Sequence, residues 1–161
     1  TPDISRNSIA VLPFVNMSGE AANEYFSDGI SEEILNVLAG APGLQVAART
    51  SSFAFKGKTM EVPEIARELQ VRMVLEGSVR KQGDKVRITA QLIDAKTGFH
   101  VWSQTYDREL KDIFARPFAS RETTPTLTST WGMFMSTKIG SQMRLGSIKK
   151  RFAISPNMLG H

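Results

Sequence analysis

Residues 73–110 read MVLEGSVRKQGDKVRITAQLIDAKTGFHVWSQTYDREL, and this stretch decides the fold of the chain. Apolar residues alternate with polar ones from Val86 to Leu92, as in a strand that buries one face more deeply than the other. The segments QGDK at 82–85 and AKTG at 95–98 carry the glycine and polar residues that tight hairpins require. The stretch therefore predicts three consecutive strands joined by two short turns.

The residues before this stretch predict strands and helices in alternation. The apolar run IAVLPF at 9–14 and the segment LQVAAR at 44–49 are typical of short buried strands. Two amphipathic helices follow them, with apolar residues at spacings of three and four: Phe26, Ile30, Ile34, Val37 and Leu38 in the first, and Val62, Ile65, Ala66 and Leu69 in the second. Asn23 is suited to cap the first helix, and Gly40 with Pro42 is suited to end it.

The predicted order is β-α-β-α-β-β-β, which indicates an α/β domain with helices packed on a single mixed sheet. We assign residues 1–115 to this domain, because the composition changes after them. Residues 1–115 hold 13 Lys and Arg against 15 Asp and Glu, whereas residues 116–161 hold 7 against 1. The second segment is basic, rich in Ser and Thr and without a sustained period, which predicts a weakly structured tail.

Composition excludes several classes of function. The net charge of +4 comes from the tail, so the main domain is not expected to bind DNA or RNA. The chain has no cysteine, hence no disulfide and no thiolate metal site. It also has no apolar run of about 18 residues, so we expect no membrane span.

No motif predicts catalysis. The segment FKGKT at 55–59 resembles the end of a phosphate-binding loop, but Ser52 stands where that motif requires glycine. The two histidines, His100 and His161, are far apart and have no partner residues with zinc-site spacing. Glu32 and Glu33 are adjacent, so we expect solvated surface carboxylates rather than an acid–base pair. We therefore predict that the chain is not an enzyme and holds no metal or cofactor.

Two loops carry the candidate ligand-binding residues. They follow the carboxyl ends of the first two predicted strands, where open α/β sheets tend to bind ligands. The residues are Asn16, Ser18 and Gly19 in the first loop and Arg49, Ser51 and Ser52 in the second. Helix N-termini nearby favour an anion, with which Arg49 could pair. The alternative is structural: the polar residues cap helices and turns, and Arg49 pairs with a carboxylate.

Trp102 and Tyr106 are the candidate interaction surface. Together with His100, they fall on one face of the last predicted strand, where they could dock a partner. The alternative is that a helix or the tail covers them.

Eight segments together resemble the bacterial TolB-like amino-terminal domain family, from residue 8 to residue 115. They are SIAVLPFVNMSG (8–19), EYFSDGISEEI (24–34), RTSSFAFKGK (49–58), IAREL (65–69), VLEGSVR (74–80), VRITAQLID (86–94), WSQTYDR (102–108) and DIFA (112–115). The resemblance implies a mixed-sheet α/β domain related to the amino-terminal domain of TolB. It implies no catalytic residues.

The resemblance also implies a place in a longer protein. Such domains follow an adenylate cyclase, a serine/threonine kinase or a winged-helix DNA-binding domain, and commonly precede tetratricopeptide repeats. The expected partners are thus an attached output domain or such repeats, with a homodimer left open. The expected function is regulation of a bacterial signalling protein, cyclase-linked and cytoplasmic; the alternative is a periplasmic module of envelope assembly akin to TolB.

The chain departs from the family pattern after Ala115. Similar proteins continue with a helix of the type VQDEI, whereas this chain continues RPFAS at 116–120. The change coincides with the change in charge, which suggests a reading-frame change or a truncated gene copy as a hypothesis. A run that regains the family pattern in another frame would support it, and the absence of such a run would contradict it.

Overall fold

The computed structural model describes residues 4, 7–41, 43–113 and 138–139. The strands are β1 (Ser8–Val11), β2 (Val15–Asn16), β3 (Gln45–Val46), β4 (Met73–Gln82), β5 (Lys85–Asp94) and β6 (Phe99–Glu109). The helices are α1 (Glu24–Ala39), α2 (Arg49–Phe53), α3 (Val62–Leu69) and α4 (Leu110–Ile113), and a 3-10 turn (Ala21–Asn23) precedes α1.

The strands form one mixed sheet in the order β3-β1-β4-β5-β6, with β2 also paired to β4. Strand β1 is parallel to both β3 and β4, and β2 is parallel to β4. The pairs β4–β5 and β5–β6 are antiparallel. The predicted α/β class, with helices packed on one mixed sheet and a closing meander, is thus confirmed.

Two features of the sequence produce the meander: a tight turn between β4 and β5, and the alternation of apolar and polar residues along β5. Gly83 and Asp84 join β4 to β5, and Gly83 has φ +60°, a conformation that glycine adopts without a steric penalty. Along β5 the alternate residues Val86, Ile88, Ala90 and Leu92 are buried. Every residue of β4 pairs with one of β5, so the alternation fixes which face of both strands enters the core.

The first half of the chain differs from the prediction in two places. The run at 9–14 is not one strand: the residues at 12–14 lie between β1 and β2, and Asn16, predicted in a loop, belongs to β2. The segment at 44–49 contributes only two strand residues, and Arg49, predicted at the end of that strand, begins α2 where a loop was predicted. The sheet therefore has six strands rather than five. With α2 and α4, the described residues form four α-helices rather than two.

Helix α1 begins and ends at the predicted positions, but Asn23 does not cap its N-terminus through the side chain. Asn23 directly precedes the helix, yet its backbone is already helical and its side chain forms no capping hydrogen bond. Its amide instead lies 3.4 Å from a carboxylate oxygen of Glu20. Gly40 follows the last helical residue as predicted, and Pro42 lies outside the described residues.

The sheet has an apolar cluster on each face. On one face, α1 packs against the alternate residues of β4 and β5, with Ile30, Ile34, Leu35 and Leu38 on the helix side. On the other face, the smaller cluster comprises Ala10, Leu12, Ile65, Ala66, Val71 and Val74. Amphipathic α3 thus covers one face of β1 and of the beginning of β4, and α1 covers the other.

Phe14 connects the break between β1 and β2 to the rest of the core. Its side chain is 1% exposed, and its backbone N–H donates to Ser31 Oγ at 2.7 Å. The Ser31 hydroxyl in turn donates to the Ser27 carbonyl at 3.0 Å. A buried backbone N–H that no strand partner satisfies is costly, so this pair of hydrogen bonds stabilises the interruption between β1 and β2.

The predicted tail lies outside the described residues except for Lys138 and Ile139. Both are helical, and Ile139 is buried in the larger apolar cluster. The boundary after residue 115 stays a prediction, and so does the reading-frame hypothesis. Within the described residues, no helix combines the length and the apolar character needed to cross a membrane.

Gly77 provides the first testable prediction. A Cβ at this position would collide with the Thr89 carbonyl oxygen and lie 2.9 Å from Phe14 Cε2. We therefore expect Gly77→Ala to lower the free energy of unfolding by about 1–3 kcal/mol in urea denaturation. The matched control is Gly29→Ala in α1, where a Cβ meets no atom within 4 Å. That change should be neutral or stabilising by up to about 1 kcal/mol; equal effects of the two substitutions would contradict the packing argument.

Candidate functional site: a groove beside helix α3

The three predicted residues of the first loop hold that loop together. Asn16 Oδ1 accepts from the Ser18 backbone N–H at 2.9 Å, and Asn16 Nδ2 donates to the Glu20 carbonyl at 2.8 Å. Ser18 Oγ accepts from the Lys81 backbone N–H at 2.8 Å, which ties the loop to β4. Gly19 has φ +74°, a left-handed conformation that favours glycine.

The residues predicted in the second loop lie on α2. Arg49 Nε is 3.2 Å from Glu32 Oε2 on α1, and its guanidinium lies 4.4 Å from the centre of the Phe53 ring. Ser51 is exposed. Ser52 is fully buried, and its hydroxyl has no hydrogen-bond partner among the described residues. Arg49 thus pairs with a carboxylate, the alternative that the sequence left open.

The contacts of the two groups of residues lead to different elements. Ser18 is bonded to the backbone of Lys81 on β4. Arg49 pairs with Glu32 on α1. Ligand binding by either group alone stays a prediction.

Trp102 and Tyr106 pack against the core. Tyr106 is 3% exposed, Trp102 is half-buried, and their ring centroids are 6.5 Å apart. Burial raises the pKa of the Tyr106 hydroxyl. His100 does not share their face by simple alternation, because a register shift places Trp102 opposite Leu92 and His100 opposite Ile93. A docking role for the two aromatic residues stays a prediction.

The expectation for the adjacent glutamates holds for one of them. Glu32 is half-exposed and pairs with Arg49, whereas Glu33 is 3% exposed. Adjacent helix residues lie about 100° apart, so one carboxylate faces α2 while the other is directed into the protein. Sequence spacing alone did not identify which of them is buried.

A groove of about 660 Å³ lies where α3 stops covering the sheet. Ile65 belongs to the same apolar cluster as Val74 of β4. Glu76 and Ser78, the next residues on that face of β4, are half-buried and line the groove. We call this surface the α3 groove. Its existence follows from the shortness of α3, which has only eight residues.

The α3 groove has one apolar wall and one polar wall. The apolar wall includes Leu12, Phe55, Met60, Val62 and Ile65. The polar wall includes Asn16, Glu76, Ser78, Thr89 and Gln91. Of the six candidate ligand-binding residues, only Asn16 lines it. Apolar side chains of a bound molecule can contact the first wall, while its amides or hydroxyls form hydrogen bonds with the second.

Opposite charges lie at the two sides of the groove. Lys58 Nζ lies 5.5 Å from the centre of the Phe55 ring, and Glu76 lies opposite Gln91 in the sheet. Neither Lys58 nor Glu76 forms an ion pair with another described residue. Glu24 and Lys56 also line the groove but pair with each other, so Lys58 and Glu76 are the charges that it offers to a bound molecule. Over the described part of the chain, no three His, Asp or Glu side chains are close enough to hold a metal ion.

Lys56 fixes the segment that forms one side of the groove. Its Nζ lies 2.7 Å from Asp28 Oδ2 and 3.2 Å from Glu24 Oε2, both on α1. The hydrogen bond to Asp28 is the main cause that raises the pKa of Lys56 above its ordinary value, and Glu24 adds to it. Sequence reasoning missed this contact, because the partners are separated by 28 residues and no local pattern connects them.

A comparison with known proteins places the domain in a family. The family model described as "HilA/YgeH-like transcriptional regulator, second domain" matches residues 5–116, well over half of the chain. The chain belongs to this family. The expected TolB-like family is thus supported only in part.

One curated relative shares high sequence identity with the domain. "Putative adenylate cyclase 3" of Rhizobium meliloti (strain 1021) is 56% identical over 111 residues. The match covers 69% of this chain but only 19% of the relative, so the chain spans about a fifth of that protein's length.

Solved structures share the fold at low sequence identity. TolB from Acinetobacter baumannii superposes with a TM-score of 0.55 at 12% identity, covering 84% of this chain and 28% of TolB. Lipoprotein GNA1162 from Neisseria meningitidis has a TM-score of 0.51 at 18% identity, covering 84% of this chain and 95% of the lipoprotein. At such identities the likeness concerns the fold alone.

The contacts of Lys56 predict how far removal of each carboxylate partner lowers the pKa of its side chain. We expect Asp28→Asn to lower the pKa of Lys56 more than Glu24→Gln does, because the Asp28 hydrogen bond is the larger cause. Titration of the Lys56 side-chain signals by NMR measures both. The ion pair contributes to stability below the unfolded-state pKa of about 10.4, and this contribution is lost as the pH rises through the higher folded-state pKa. A Lys56 pKa unchanged in Asp28→Asn would contradict the geometry.

Proposed function

We propose that this chain is a non-catalytic regulatory domain of a bacterial signalling protein, linked to an adenylate cyclase. The observation that carries the proposal is the 56% identical segment, which makes up a fifth of the Rhizobium relative named as a cyclase. The family is also named for transcriptional regulators, in which it is the second domain. The domain is thus associated with an adenylate cyclase in one case and with transcriptional regulators in the other. A domain shared by two such different activities is suited to controlling an attached domain rather than to performing its chemistry.

The α3 groove is the proposed contact site for the attached output domain. Its apolar wall can bury side chains of a docked segment, and its polar wall can pair with main-chain amides. Lys58 and Glu76 at its two sides favour a segment that carries both charges. Partners of this kind are expected to be covalently linked, so a modest intrinsic affinity suffices.

The first test asks whether the chain turns over nucleotide. We expect no cyclic AMP from the isolated 161-residue chain incubated with ATP and Mn²⁺, with the Rhizobium relative assayed beside it as the reference. Product formed by the isolated chain would overturn the assignment to a non-catalytic domain.

The second test asks whether the domain controls an output. In the Rhizobium relative, the homologous segment is replaced by the matching segment of this chain, and cyclic AMP formation is measured with and without Ser78→Arg. The new side chain occupies the α3 groove, so we expect a change of about fivefold or more in either direction. The matched control is Thr97→Arg in the exposed loop between β5 and β6. If both variants equal the unmodified chimera, the groove is not the contact site.

An envelope role is the second candidate. The fold likeness to TolB and to lipoprotein GNA1162 favours it, with periplasmic rather than cytoplasmic location. The native gene upstream of the codon for Thr1 distinguishes the two. An in-frame cyclase, kinase or winged-helix segment supports the regulatory role, whereas an export signal directly upstream supports the envelope role.

A further inference from the structure

Strand β6 is the open edge of the sheet. It is 11 residues long and, within the described part of the chain, it pairs only with β5. An edge of this length presents a row of backbone N–H and C=O groups that can pair with another strand. The opposite edge, β3, has only two residues and offers far less.

Only the two ends of this edge carry the features that discourage pairing. The register shift between Leu92 and Ile93 lies near the beginning of β6, and a shift of this kind distorts the ladder. Asp107, Arg108 and Glu109 follow at its end. The five residues between them, WSQTY at 102–106, contain no charge, proline or glycine. Natural edge strands usually carry charges or proline in such a position, so the open centre is unusual for a surface that stays unpaired.

The sequence of this centre is suited to pair with itself. We propose that β6 pairs antiparallel with β6 of a second copy of this chain, with Gln104 opposite the partner's Gln104. In this register Ser103 lies opposite the partner's Thr105, and Trp102 lies opposite the partner's Tyr106. Hydroxyl pairs are favourable cross-strand neighbours, and no like charges meet within these five positions.

Among the described residues, the side chains at the centre of the edge are compatible with a second copy. Ser103, Gln104 and Thr105 are exposed, so none of these side chains has to leave the core. Directly opposite residues of an antiparallel pair lie on the same face, so the two sheets continue as one. The pairing involves few residues on each side, and we therefore expect a weak dimer that forms in a concentration-dependent way. This inference goes beyond the proposed function and does not depend on it.

Opposite charges at position 104 test the register. Gln104→Lys and Gln104→Glu each place two like charges directly opposite in the dimer, so each variant alone should weaken self-association by about fivefold or more. Mixing the two variants in equal amounts should restore it, because Lys then faces Glu. Sedimentation velocity of the full chain measures all three samples. The matched control is Gln82→Lys, an exposed position at the end of β4, which should associate like the unmodified chain.

Cysteine cross-linking gives an independent readout. The chain has no cysteine, so Gln104→Cys introduces a single thiol. Opposite residues of an antiparallel pair have Cα atoms about 4.5–5.5 Å apart, which is within the range of a disulfide. We expect a covalent dimer under mild oxidation for Gln104→Cys and much less for Gln82→Cys. Equal cross-linking of the two variants, or a dimer that the charge variants do not weaken, would overturn the proposal, as would a chain that stays monomeric at high concentration.

Discussion

The contact between Phe14 and Gly77 is the constraint on which the rest of this domain depends. Strands β1 and β2 are both parallel to β4, but the three residues at 12–14 lie between them where β4 has two, at 76–77. The Phe14 side chain is buried in this interruption against a position of β4 that has no side chain, and its backbone N–H is bonded to Ser31 of α1. One residue thus connects the parallel strands, the meander and the main helix.

The same interruption forms part of one of the two open surfaces of the domain. The residues at 12–16 form one end of the α3 groove, and α3 itself is too short to close the groove. The other open surface is the edge of β6, at the far side of the meander. The two surfaces are on different elements, so the proposed contact with an output domain and the proposed pairing with a second copy use different residues. If both occur, association could be coupled to control of the output domain.

Some of the fold could be predicted from the sequence, because the evidence for it is local. The alternation along β5 and the turn residues around Gly83 predict the strands of the meander, whereas the register shift between β5 and β6 shows no local signal. Strand β2 could not be predicted in this way, since two residues show no period and their pairing depends on β4. Helix α2 begins RTSS, a sequence with low helix propensity, and its packing against β1 and the pairing of Arg49 with Glu32 hold it in place.

The candidate site was less predictable than the fold. The sequence pointed to loops at the ends of parallel strands; Asn16, which was predicted in such a loop, belongs to β2 and lines the groove. The sequence could not show that Arg49 pairs with Glu32 of α1 or that Ser18 is bonded to Lys81 of β4, because each contact joins residues that are distant in the sequence. No sequence motif identifies Glu76 and Ser78. They line the groove because α3, which is distant in the sequence, does not cover them.

Hydrogen–deuterium exchange tests most directly the claim that this domain acts by contacting an output domain. The isolated chain is compared with the same chain mixed with the Rhizobium relative from which the homologous segment has been deleted. The account predicts slower exchange in the segment at 54–62 and around Glu76 and Ser78, with little change in α1. Unchanged exchange along the groove, at concentrations at which the two proteins associate, would contradict it.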